Sequence, residues 1–342
     1  MDGRKGNNMK YTRIRAGSGR CRWSRATVGL AAAAAVALSL SACGGAKVGD
    51  SASGGGGSGG KCGTVNLAVN SWVGYEADAA VLGYVAENKL GCNLVNKNLD
   101  EQVSWQGFGT GEVDAVLENW GHDDLAKKYI TEQKVAQDAG STGLVGNIGW
   151  YVTPALAKEH PDILDWRNLN KYADMFKTSE SGDKGQILDG DPGFVTNDAA
   201  LVKNLNLNYK VVYAGSEAAL ITSFRQAAQA NKPMIGYFYS PQWFLSEVPL
   251  VKINLPSYTP GCDAVPDKIA CDYPTYDLNK VVSTKFATSG SPAYNLVKNF
   301  KWTNEDQNQV AKYIAEDKMS DKAAAKKWVD ANPDKVKAWM AG

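Results

Sequence analysis

The chain has 342 residues, 44% hydrophobic and 21% charged, with a formal net charge of +1. That balance conceals an asymmetry, because eight of the 37 basic residues precede residue 26, where the only acid is Asp2. Without that leader the net charge is near −6 and the only arginines are Arg167 and Arg225, which excludes the basic face of a nucleic-acid binder and implies no nucleic-acid partner.

The basic stretch is followed by an alanine-dominated apolar run over residues 26–40 and then by Leu40-Ser41-Ala42-Cys43. A basic segment, a short apolar segment and small residues before a cut form a secretory signal. The run falls short of the ~20 apolar residues that a membrane-spanning helix needs. Leu-Ser-Ala-Cys resembles a bacterial lipobox, which implies that residues 1–43 are a lipoprotein signal peptide and that Cys43 carries the lipid. A transmembrane anchor or an ordinary signal peptide is the alternative. Residues 44–61 are rich in Gly and Ser and read as a flexible tether. The expected site of action is therefore extracytoplasmic, anchored by lipid to a bacterial cell membrane.

The remaining ~280 residues favour two lobes over a single core. TVNLAVN (64–70) reads as a strand, 76–90 as a helix, and 92–99 and 113–120 as further strands. A Lys-rich helix over 124–137 leads to the strand LVGNIGWYV (144–152). Helices over 154–159 and 165–176 precede the strand at 186–190, and Thr196 or Asn197 caps the helix that follows. Next come a strand at 209–215, an amphipathic helix at 216–230 capped by Ser216, and the strand KPMIGYFY (232–239). The tail is helical over 291–300, 304–316 and 321–332. Alternating strands and helices predict an α/β fold of two lobes, each a mainly parallel sheet flanked by helices. Residues 62–147 and 248–342 form lobe 1 and 148–247 lobe 2, with crossovers near 144–152 and 247–255. Four cysteines remain beyond Cys43, and three pairings are possible. Cys62–Cys92 and Cys262–Cys271 are favoured, since the first pair opens neighbouring strands and the second brackets a short loop. No CxxC pair supports a metal site, and no GxGxxG or GxxxxGK(S/T) supports a phosphate-bearing cofactor, so neither is expected.

Ligands of such sheets sit beyond the carboxyl ends of the strands. Those ends carry Trp72, Trp120, Trp150-Tyr151, Asp189-Gly190 and Tyr239 followed by Trp243. Trp166, Trp302, Trp328 and Trp339 lie on amphipathic helices and read as core. Trp72 and Trp120 instead sit among Ser, Gly, Asn, Glu and His, where a strand gives way to a loop. Aromatic faces converging on one cleft suit a cation without N–H groups, which ring quadrupoles can select and hydrogen bonds cannot. Scattered core aromatics are the competing reading.

The segments TVNLAVNSWVGYEA, LVGNIGWYVTP, LDGDPGF, YFYSPQW and FKWTNEDQNQV together resemble the substrate-binding lipoproteins of glycine betaine/choline/proline-type ABC importers, over essentially the whole mature chain. The resemblance implies a periplasmic-binding-protein clamshell (type II-like) closing on a quaternary amine. It implies cage positions at Trp72, Trp120 and Tyr239, with Trp150 or Tyr151 as another ring; Trp243, just beyond the strand, is expected to back Tyr239 or form a further wall. The Asp-Pro-Gly turn matches a segment whose amides often meet a ligand carboxylate, which assigns Asp189 and Gly190 to the ligand's polar end. Gly74 stands where choline-selective members carry an acid, and Asp189 where betaine binders often carry a small residue, so the individual ligand stays open. The implied partners are a small quaternary amine and an ABC permease, and a monomer is expected. A carbohydrate-binding or hydrolytic lipoprotein using the same aromatics is the competing reading. The shortage of arginine argues against it, and an enzyme is not expected.

Overall fold

The computed structural model describes residues 62–341, so Cys43 and the tether lie outside the described residues. Nine strands form one continuous sheet: β1 (Thr64–Val69), β2 (Asn93–Asn98), β3 (Ala115–Asn119), β4 (Ala136–Val152), β5 (Gly185–Asp189), β6 (Tyr209–Tyr213), β7 (Ile235–Ser240), β8 (Val251–Lys252) and β9 (Thr275–Ser283). Their order is β2-β1-β3-β9-β4-β7-β5-β6, with β8 pairing β4. Strands β1, β2 and β3 are parallel in one half, and β5, β6 and β7 in the other. The inner strands are antiparallel, so each half is a mixed sheet with parallel strands outermost.

Strand β4 joins the halves. It pairs with β9 from Ala136 to Asn147 and with β7 from Asn147 to Val152. The return expected at 247–255 lies further along the chain. Val251 and Lys252 still pair with Val152 and Tyr151, and the Tyr273 hydroxyl still meets Asn197 N–H and the Asp198 carboxylate. The chain leaves this half only along β9. That strand was hidden in the sequence because Lys280 interrupts its apolar pattern; its ammonium is buried, donating to the Lys298 carbonyl at 2.9 Å and to that of Phe300. The helix Glu101–Thr110 was hidden likewise, since Gly107 and Gly109 lower its propensity.

Strand β1 buries Val65, Leu67, Ala68 and Val69, as expected of a strand covered on both faces. The helices Val73–Val85, Asn304–Ala315 and Asp321–Ala331 pack together on the first half. Thr303 and Asp306 cap the second of these reciprocally. Trp302, Trp328 and Trp339 are core, with the last two rings stacked 5.5 Å apart. Trp166 is half-buried. Ser216 caps Glu217–Ala230 as expected; Asn197 starts the Asp198–Asn204 helix, but neither it nor Thr196 caps it by side chain. Cys62–Cys92 and Cys262–Cys271 are bonded, with Cα atoms 4.9 and 6.4 Å apart.

Candidate functional site

Trp72 follows β1 and Trp120 follows β3, both at carboxyl ends of parallel strands. Strand β7 contributes Tyr237 and Tyr239, two residues apart and hence on one face. Phe194 comes from the loop after β5, and Tyr276 from β9. These six rings line one small cavity together with Glu101, His122, Ile148 and Val195. Trp120 is the hub: its ring centroid lies 6.4 Å from Trp72, 5.9 Å from Tyr239 and 5.7 Å from Tyr276, with interplanar angles of 88°, 84° and 63°. Phe194 closes the circle, 5.8 Å from Trp72 and 6.1 Å from Tyr237. The steep angles are edge-to-face contacts, so the rings brace one another around the cavity. The enclosed space is about 30 Å³, room for one or two waters. Neither Lys nor Arg lines it. An open groove of about 790 Å³ adjoins it at Trp72, but charges of both signs line that groove, including Glu76, Asp100, Arg225, Lys318 and Asp321.

Three buried carboxylates tie the site together. One oxygen of Glu118 accepts the indole N–H of Trp72 at 2.8 Å and that of Trp120 at 3.1 Å. Glu217 accepts the Tyr239 hydroxyl and, at 2.9 Å, the Val73 N–H of the other half. Glu101 accepts the Val195 N–H across the cleft at 3.2 Å and pairs with His122. Burial pulls the His122 pKa down, but the Glu101 bond and charge outweigh it, and the net shift is upward. Burial, then the Glu217 charge, pushes the Tyr239 phenol well up, so it remains a donor.

Of the residues singled out in the sequence, Trp72, Trp120 and Tyr239 meet at the cavity. Trp150, Tyr151, Trp243, Asp189 and Gly190 do not line it. Trp150 is fully buried on the same side of β4 as Ile148, opposite Tyr237 in the ladder. Tyr151 faces the other way, 6.2 Å from Phe238, and burial followed by the Asp272 charge pushes it up to about 12. Trp243 packs 6.0 Å from Phe244, under the Arg225 guanidinium. Asp189 is buried and turned away from the cavity; its oxygens accept Gly190 N–H at 2.7 Å and the Thr196 hydroxyl at 2.8 Å. Gly190 is needed for space, since a Cβ there would lie 2.7 Å from the Phe194 ring. Amides of this turn are engaged internally too: Gly193 and Phe194 donate to Asp191 and Val195 to Glu101. Gly74 faces Gln307, whose amide would sit 3.0 Å from a Cβ at that position.

Tyr237 and Phe194 are wall residues that the sequence did not single out. The period-two spacing of Tyr237 and Tyr239 was a usable signal. Tyr276 carried none while β9 stayed unrecognised.

A family model described as the substrate-binding domain of ABC-type glycine betaine transport systems matches residues 63–331. The trimethylamine N-oxide-binding protein of Pelagibacter ubique (strain HTCC1062) is 26% identical over 287 residues, 78% of this chain and 87% of its own length. Among solved structures, lactococcal OpuAC, closed and complexed with glycine betaine, has a TM-score of 0.64 at 21% identity, covering 81% of this chain and 99% of that one. An ABC-transporter choline-binding protein in complex with choline has a TM-score of 0.67 at 19% identity, covering 82% and 92%. These structural likenesses establish the fold, an α/β two-lobed binding-protein clamshell. With a family match across four-fifths of its length, the chain belongs to the substrate-binding domains of ABC-type glycine betaine transport systems.

Proposed function

We propose that this protein captures a small methylated ammonium solute (glycine betaine, choline or a relative such as trimethylamine N-oxide) and delivers it to the permease of an ABC importer. One observation carries the reading: six rings line a half-open cavity that neither Lys nor Arg lines, and its space of about 30 Å³ is smaller than a methylated ammonium head, so the two halves must part to admit one. A methylated ammonium has no N–H to donate, so ring faces hold it, each desolvated contact contributing up to about 2 kcal/mol. The ligand's polar end then faces His122 and Glu101, the ionisable pair on the wall. The Asp-Pro-Gly turn is a poor receiver for a carboxylate, because its amides serve Asp189, Asp191 and Glu101. A hydroxyl or oxide tail suits the His122–Glu101 pair better.

Substrate-binding proteins of ABC importers work outside the cytoplasm. For this chain Leu40-Ser41-Ala42-Cys43 supports anchoring through a lipid on Cys43, with residues 44–61 as the tether and the binding domain as a monomer. Capture proceeds by closure of the two halves about the β4 and β9 crossings, which excludes water and strengthens each ring contact. The role is binding rather than catalysis. A calorimetric panel of glycine betaine, choline, trimethylamine N-oxide and glucose tests it. Binding of an ammonium or N-oxide compound without glucose is expected; glucose binding alone would replace this reading with the carbohydrate one.

A further inference from the structure

Glu118 is 2% exposed, at the end of β3. Among the described residues no Lys, Arg or His forms a salt bridge with it. Its hydrogen-bond partners are neutral: the indoles of Trp72 and Trp120 on one oxygen and the Gln307 amide on the other. The same amide reaches Asp78 at 3.3 Å, an acid fully buried beside it. Burial, then the Glu118 charge, pushes the Asp78 pKa well up, which favours its protonated form. The buried ammonium of Lys280 is committed to the Lys298 and Phe300 carbonyls. A buried carboxylate without a cationic partner is costly, and the cost falls when a cation arrives nearby. Both indoles that Glu118 holds line the cavity that would receive that cation, and Glu118 itself does not.

We propose that Glu118 is the fixed counter-charge of the cage, orienting both tryptophans through their N–H groups and making the site select a cation over a neutral molecule of the same shape. Glu118 does not touch the ligand; it acts through the rings. A charge-assisted hydrogen bond draws electron density toward the ring faces, and one oxygen shared by two indoles keeps them at a fixed mutual angle. The other two carboxylates have different work, Glu101 with His122 and Glu217 with Tyr239, Gln242 and Val73.

The inference rests on the ammonium reading, and its test separates the two. Choline and glycine betaine are each titrated beside their neutral-headed tert-butyl counterparts, 3,3-dimethylbutan-1-ol and 3,3-dimethylbutanoate, into wild type and Glu118→Gln. The variant is expected to lose about tenfold in affinity for the ammonium ligands and less than about twofold for the counterparts, since a single charge acts over a ring's width. Equal losses for both would reduce Glu118 to a structural support, and no loss for either would remove its role; both outcomes overturn the proposal. Glu118→Asp keeps the charge while shortening the reach to the indoles, and serves if Glu118→Gln does not fold. It should bind all four ligands more weakly yet keep the preference for the ammonium member of each pair, and a lost preference would overturn the proposal. A wild type that binds neither ammonium ligand overturns the ammonium reading, and this inference with it.

Discussion

Gly146 lies on β4 opposite Tyr276 of β9, where the strand passes from one half to the other. A Cβ at this position would stand 2.5 Å from Trp120 Cζ3 and 2.9 Å from Cη2, whereas ordinary contact begins at 3.4 Å. Gly146→Ala must therefore push the edge of the Trp120 ring back by about 1 Å, unless β4 itself bends. The ring has little freedom to retreat, since Glu118 holds its N–H and Trp72, Tyr239 and Tyr276 abut it. Overpacking of this kind costs about 1–3 kcal/mol of stability. If half of a ~2 kcal/mol ring contact is lost as well, ligand affinity falls about fivefold. Calorimetry with the best ligand and a melting curve on the same preparation read the two effects. Gly83→Ala is the control, because its Cβ meets only Leu94 at 3.8 Å. In the Val73–Val85 helix it should add about 0.5–1 kcal/mol of stability and leave affinity alone. Gly146→Ala with a lowered melting temperature and unchanged affinity would show that Trp120 is packing, not a ligand wall.

Glu76 is half-buried in the groove, and burial, then the charge and hydrogen bond of Asp321, raise its pKa from 4.5 to about 7. The folded state thus holds this proton more tightly than the unfolded chain, so stability is lost as pH rises from about 4.5 through 7. Glu76→Gln should raise stability at pH 8 by about 1 kcal/mol, after discounting for solvent screening, and change little at pH 4.5. Equal shifts of the melting temperature at both pH values would contradict that origin. For the anchor, Cys43→Ser should release the protein from membranes on fractionation, and a variant that still sediments with them would exclude the lipid.

Trp72 and Trp120 were legible because polar neighbours set them apart from helix-borne tryptophans. Tyr239 was legible because it ends a strand. Register was the obstacle at 150–151: alternation puts Trp150 and Tyr151 on opposite faces, yet nothing local says how deep each sits. In the structure Trp150 is fully buried, and Tyr151 faces Phe238. Asp189 misled because a strand-end acid reads as a ligand contact. Here it ties its own loop through Gly190 and Thr196, which sets the path leading to Phe194. The carboxylates that tie the site together were not legible at all. Glu118 precedes Trp120 by two residues, but its bond to Trp72 spans 46 residues and depends on the fold. The two-half architecture followed from alternating elements. The single continuous sheet did not, because it rests on β9 and its buried lysine.

In the proposed function Trp72 and Trp120 hold the ligand's methylated head. Titration of the best ammonium ligand into wild type, Trp72→Ala and Trp120→Ala measures it most directly. Each replacement should weaken binding by about tenfold or more, given up to ~2 kcal/mol per desolvated ring contact, with circular dichroism spectra unchanged. Wild-type affinity in either folded variant would contradict the account.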